Sequence, residues 1–183
     1  MNTDDLIMPL VIEAANLLRE KQHTLATVES CTGGMVGAAL TTLPGISDVY
    51  FGGYITYSNM AKQVAVRVKP RTLAQHGAVS AQVAVEMAKG GRRKLLTTHA
   101  LSITGIAGPD GGSPSKPIGT VWICVLSHFE EVDCRRFIFP GDRVSVRDQA
   151  ACAALTMLIQ NIRAIESQPL DHQHKQIHEQ TQV

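Results

Sequence analysis

The sequence predicts a layered α/β/α domain with a mixed sheet that includes a late antiparallel hairpin. Three observations carry that prediction. Helical and β-branched stretches alternate from residue 6 to residue 104, two β-rich runs then stand close together at 120–126 and 132–139, and a long stretch rich in alanine and leucine follows. With 183 residues, 44% of them hydrophobic and 18% charged, the chain is long enough to bury a core as one domain. That domain is expected over 1–167, before a tail at 168–183 of His, Gln, Asp and Lys with almost nothing to bury, which reads as disordered.

Leu6 to Lys21 places apolar residues at 6, 9, 10, 14, 17 and 18, near the helical period, with Asp4 or Asp5 available to cap it. Thr24 to Glu29 is the first strand, and Gly33 to Leu43 a helix of small residues stopped by Pro44-Gly45. Val49 to Tyr57 is β-branched and aromatic, with Gly52-Gly53 marking a bulge or a close backbone approach, and Ser58-Asn59 ends it. Lys62 to Val68 fits no single element, and Pro70 to His76 forms a turn or two of helix. Ser80 caps a helix from Ala81 to Leu96, whose second half Gly90-Gly91 weaken by about 1 kcal/mol each. Ala100 to Thr104 is a short buried strand, and Gly105 to Pro117 a loop rich in glycine and proline. Thr120 to Leu126 and Val132 to Phe139 form the hairpin through His128 to Glu131, and Val144 to Ile165 the last helix.

Composition excludes several classes of function. A net charge of +1 offers no basic field, and 4% aromatic residues offer no stacking platform, so no nucleic-acid partner is expected. No apolar run approaches the ~18 residues of a membrane span, and the first residues lack the positive start of a signal peptide, which points to a cytoplasmic protein. Cys31, Cys124, Cys134 and Cys152 form no CxxC pair and read as reduced thiols, with no metal site. His23, His76, His99 and His128 lie near element ends and read as surface residues.

Ala26 to Gly34 is the stretch that organises the chain: a β-branched run ends in Glu29, Ser30, Cys31 and Thr32, and two glycines lead into a helix. Such a strand–turn–helix presents a hydroxyl where helix-head N–H groups await an oxyanion. Ser30 needs a base to act as a nucleophile. Four loops at strand carboxyl ends supply Ser30, Thr32, Tyr57, Lys62, Thr104, Asp110, Arg143 and Arg147, a plausible set for acyl transfer. Each also has a plain reading: Ser30 as a helix cap, Lys62 as a solvated lysine, Tyr57 as a core residue with its hydroxyl at the rim. Glycines 105, 108, 111 and 112 let backbone N–H groups approach a phosphate, although the loop is neither a P-loop nor a dinucleotide fingerprint. Arg143 and Arg147, four apart, share a helix face and suit either a phosphate or pairing with surface acids.

The strings VESCTGG at 28–34, TYSN..K at 56–62, LAQHGAVS at 73–80, SITGIAGPDGG at 102–112, KPIGTVW at 116–122 and GDR at 141–143 together resemble the C-terminal domain of CinA-type competence-damage-inducible proteins, from about residue 5 to 165. The chain resembles the standalone form of that domain, nicotinamide-nucleotide amidase. The resemblance implies hydrolysis of nicotinamide mononucleotide to nicotinate mononucleotide and ammonia, with no metal or organic cofactor. It implies Ser30 as nucleophile with Lys62 and Tyr57 activating it, and Ser47, Thr104, Gly105 and Arg143 as substrate-binding positions. Thr32, Gly33 and Gly34 at the turn and Ala107 and Gly108 in the glycine loop complete that expected set. Ile46, Met60 and Val64-Ala65-Val66 depart from the family pattern. The alternatives are a paralogue that binds a nucleotide or protein without turnover, and an amidase for another substrate. A homo-oligomer is also expected, from the small-residue face at 33–43, the apolar last helix and the family's habit of assembling.

Overall fold

The computed structural model describes residues 3–127 and 130–166. Five strands form one sheet in the order β2-β1-β3-β4-β5: β1 is Leu25–Glu29, β2 Tyr50–Ile55, β3 His99–Gly105, β4 Thr120–Leu126 and β5 Val132–Ile138. β1 runs parallel to both β2 and β3, whereas β4 is antiparallel to β3 and to β5, so the mixed sheet and the late hairpin are both present. Every residue of β1 is buried, because helices cover both faces of the central parallel strands.

Helices α1 (Thr3–Glu20), α2 (Met35–Leu40) and α6 (Arg143–Glu166) cover one face and share a core with β1, β3 and β4. Helices α3 (Asn59–Val66), α4 (Pro70–His76) and α5 (Ala81–Leu95) lie on the other. The apolar last helix thus spends Val146, Ala150, Leu155 and Leu158 inside its own chain. That removes the reason for which it was expected to drive assembly.

Lys62 to Val68, ambiguous in sequence, belongs to α3 and its exit. Ser58 does end the strand, and it also starts this helix, its hydroxyl accepting the Ala61 N–H at 3.0 Å. The second half of α5 is intact to Leu95, and its two glycines explain why. A Cβ on Gly90 would stand 1.9 Å from the Val66 carbonyl oxygen, and one on Gly91 2.3 Å from Val28 Cγ2. Local propensity is given up there so that α3 and β1 lie against the helix backbone. α2 is shorter than expected, beginning at Met35 and ending at Leu40.

His99 is fully buried on β3, with Nδ1 3.1 Å from the Thr98 hydroxyl and its ring 4.8 Å from that of His23. This corrects its reading as a surface residue, whereas His76 is exposed as expected. His128 and the tail at 168–183 lie outside the described residues. No helix among the described residues is long and apolar enough to cross a membrane.

Candidate active site

The site lies where β1 ends. Ser30 continues that strand, its N–H donating to the Ile103 carbonyl of β3 at 2.9 Å, and the chain then turns through Thr32 to Gly34 into α2. Gly33 and Gly34 both have positive φ, 67° and 97°, which only glycine adopts at small cost. On the other side of Ser30, β2 ends at Ile55 and α3 swings Lys62 back over the end of β1.

Lys62 is 1% exposed, and its amine donates to Ser30 Oγ at 2.9 Å and to the Thr56 carbonyl at 2.7 Å. Burial lowers its pKa from 10.5 to about 8, against a smaller opposing pull from Cys31. A substantial fraction of the amine is therefore neutral near pH 8, in hydrogen-bond reach of a hydroxyl. Cys31, the neighbour of Ser30 in the chain, is held by burial at about 11 and stays a thiol.

The second buried charge is Glu29, at 2% exposure. Its carboxylate accepts the N–H groups of Gly34, Val36 and Gly37 at 3.1, 3.2 and 2.9 Å, and Gly33 N–H donates to the Ser30 carbonyl at 3.0 Å. The chain's own acid thereby takes three of the N–H groups at the head of α2. This corrects the expectation that these N–H groups, Gly33 and Gly34 included, wait for an oxyanion. Sequence reading left Glu29 without a role because its spacing to the helix matches no capping box. An acid directly before the turn, and none in the first turn of α2, was the available signal.

Three of the four expected loops are tied together by arginines from the fourth. Arg143 donates to the Gly108 carbonyl and to the Tyr57 hydroxyl, both at 2.7 Å, and Arg147 to the Thr32 carbonyl at 2.9 Å. Tyr57 is 60% exposed and is held by Arg143, so its reading as a core residue does not hold. Lys62 meets Ser30 without an intermediary. Thr104 is buried and donates to the Ala78 carbonyl at 2.9 Å, so its hydroxyl is engaged on the α5 side. Gly105 packs tightly, since a Cβ there would meet the Thr120 carbonyl at 2.8 Å. Ala107 and Gly108 are buried under the glycine loop, whereas Asp110 is exposed. Thr32 Oγ1 is buried without a partner among the described residues.

Ser47 is not brought to this group. It is exposed on a 3-10 helix, Ile46–Asp48, that precedes β2, at the opposite end of the sheet from Ser30. A strand of this length separates the two by roughly 17 Å, so Ser47 does not share a site with Ser30 in one chain.

Fold and site together define a three-layer α/β domain in which a central parallel strand delivers a serine to a buried lysine. The chain belongs to the CinA C-terminal domain family, whose model matches residues 8–162. It is 46% identical over 158 residues to the nicotinamide-nucleotide amidohydrolase PncC of Escherichia coli K12, covering 86% of this chain and 96% of that protein. It is 49% identical over 146 residues to a CinA-like protein of Citrifermentans bemidjiense, covering 79% of this chain but 34% of that longer protein. The crystal structure of the competence/damage inducible protein CihA from Agrobacterium tumefaciens superposes with a TM-score of 0.82 at 35% identity, covering 85% of this chain and 94% of that one.

Proposed function

We propose that this protein hydrolyses the carboxamide of nicotinamide mononucleotide to nicotinate mononucleotide and ammonia, with Ser30 as nucleophile and Lys62 as its base. The contact between the Lys62 amine and Ser30 Oγ at 2.9 Å carries the reading, supported by the near-full-length match to an amidohydrolase of that substrate class. Neutral Lys62 takes the Ser30 proton as Oγ attacks the carboxamide carbon. The same amine returns the proton to the departing nitrogen, ammonia leaves, and water hydrolyses the acyl-enzyme to the carboxylate. Direct contact makes a relay through Tyr57 unnecessary, and Tyr57 becomes a substrate-positioning group held by Arg143.

With three N–H groups at the head of α2 taken by Glu29, charge on the developing oxyanion is met in part from elsewhere. Arg147, whose guanidinium lies over Gly33 and holds the Thr32 carbonyl, brings a cation to that turn. Arg143, spanning Tyr57 and Gly108, is placed to hold the substrate phosphate against the glycine loop.

The protein also assembles as a homo-oligomer in this reading. Exposed apolar residues near the end of β2 and on α3, Ile55, Tyr57, Met60 and Val64, are available for it, whereas Val146, Ala150, Leu155 and Leu158 of the last helix are covered. Ammonia release from nicotinamide mononucleotide, measured for the wild type and for Ser30→Ala, tests the function. Release that depends on Ser30 is expected; a wild type that releases none overturns the substrate, and undiminished release from Ser30→Ala overturns the nucleophile.

A further inference from the structure

On the face formed by α3, α4 and α5, a cavity of about 520 Å³ is lined by Arg67, Lys69, Lys89 and Arg93, with Glu86 as its one acid. Among the described residues none of these four cations stands in an ion pair. Glu86 takes its hydrogen bonds from neutral donors, its carboxylate accepting the Lys69 N–H at 2.8 Å and the Thr72 hydroxyl at 2.9 Å, so four cations less one acid leave a net +3 around the hollow. In a chain whose net charge is only +1, a net +3 around one hollow is a local concentration of positive charge.

Helix electrostatics account for only part of it. Arg67 at the end of α3 and Arg93 in the last turn of α5 lie where a helix favours a cation. Lys69 does not, because it is the N-cap of α4, at the positive end of that helix. Lys89 lies further back in α5, one turn before Arg93, which repels it, and three residues after Glu86, which attracts it.

We propose that this groove is a binding site for a small polyphosphate, separate from the Ser30 site. A single phosphate carries about −1.5 to −2, too little to match a local charge of +3, whereas a chain of phosphates matches it. The hollow lies between α5 and the short link from α3 to α4 and is not a band along the surface, which favours a compact ligand over a nucleic-acid strand. Arg67 also closes the helix that carries Lys62, so an occupant of the groove touches the element on which the lysine rides.

Calorimetric titration of the full chain with inorganic triphosphate in 0.15 M salt tests this, and its readout does not depend on amidase activity. Saturable binding is expected, with Lys89→Glu weakening it at least about tenfold and Lys89→Gln less. Lys94→Glu, the same charge change on the same helix outside the groove, leaves the affinity within about twofold. Absence of saturable binding, equal losses in Lys89→Glu and Lys94→Glu, or tighter binding of a single-stranded RNA than of triphosphate each overturns the proposal. So does loss of binding in Arg143→Ala with none in Lys89→Glu, which moves the triphosphate to the Ser30 site.

Discussion

Glu29 and Lys62 are both buried, both beside Ser30, and opposite in how they are satisfied. Glu29 receives three backbone N–H groups from a helix head, as much as a carboxylate asks of its surroundings. Lys62 has one hydroxyl and one carbonyl to donate to. The first is a charge the fold has made comfortable; the second is a charge the fold has made costly. A comfortable buried charge holds structure, and a costly one is ready to give up its proton at moderate pH.

Substitutions break the pair in opposite directions. The largest effect falls on rate: Ser30→Ala and Lys62→Met each lower kcat by about 10²–10⁴-fold, measured as ammonia release, with the double variant no worse than either single. Next is the pH profile. With Lys62 as the proposed base and its pKa at about 8, activity is expected to rise tenfold per pH unit below that value and level above it, a limb that kcat/KM between pH 6 and 9 traces.

Stability separates the two charges by sign. The Lys62 pKa is about 8 folded against 10.5 for the free side chain, so the unfolded chain binds more protons between those values and stability rises with pH as the folded lysine loses its proton. Below pH 8 the full penalty is present. Lys62→Met is therefore more stable than wild type at pH 7.5, by on the order of 1–2 kcal/mol after its lost hydrogen bonds are counted, and the gap narrows toward pH 9. Above pH 9 Cys31, with its raised pKa, contributes in the opposite direction. Glu29→Gln, by contrast, is less stable by about 1–2 kcal/mol in urea denaturation, since an amide caps the helix head less well. The smallest effect is at the rim: Arg143→Ala raises KM about tenfold with kcat little changed, because it loosens Tyr57 and the glycine loop without touching the proton transfer. Equal losses of stability in Glu29→Gln and Lys62→Met erase the contrast.

Legibility in the sequence followed how local each cause was. The five strands, the hairpin and the long last helix rest on periodicity and were readable to within a few residues. The gathering of four loops at one end was readable too, because strands that run the same way deliver their exits to the same side. The burial of His99 was not, since a histidine near a strand end looks the same whether or not another ring covers it. Gly90 and Gly91 looked like defects in α5; their cause is Val66 and Val28, on other elements. Ser47 was carried in by family resemblance, and strand direction sends it to the far end of the sheet.

Sequence alone determined that a serine ends a buried strand ahead of two glycines, that a lysine follows some thirty residues later, and which family pattern they fit. Only the tertiary structure decided that α3 folds back so that the amine lies against the hydroxyl, that burial holds this lysine near pH 8, and that Glu29 fills the helix head. The reason is physical: periodicity and turn chemistry act between neighbours in the chain, whereas desolvation and hydrogen-bond supply depend on what other elements bring to the same place.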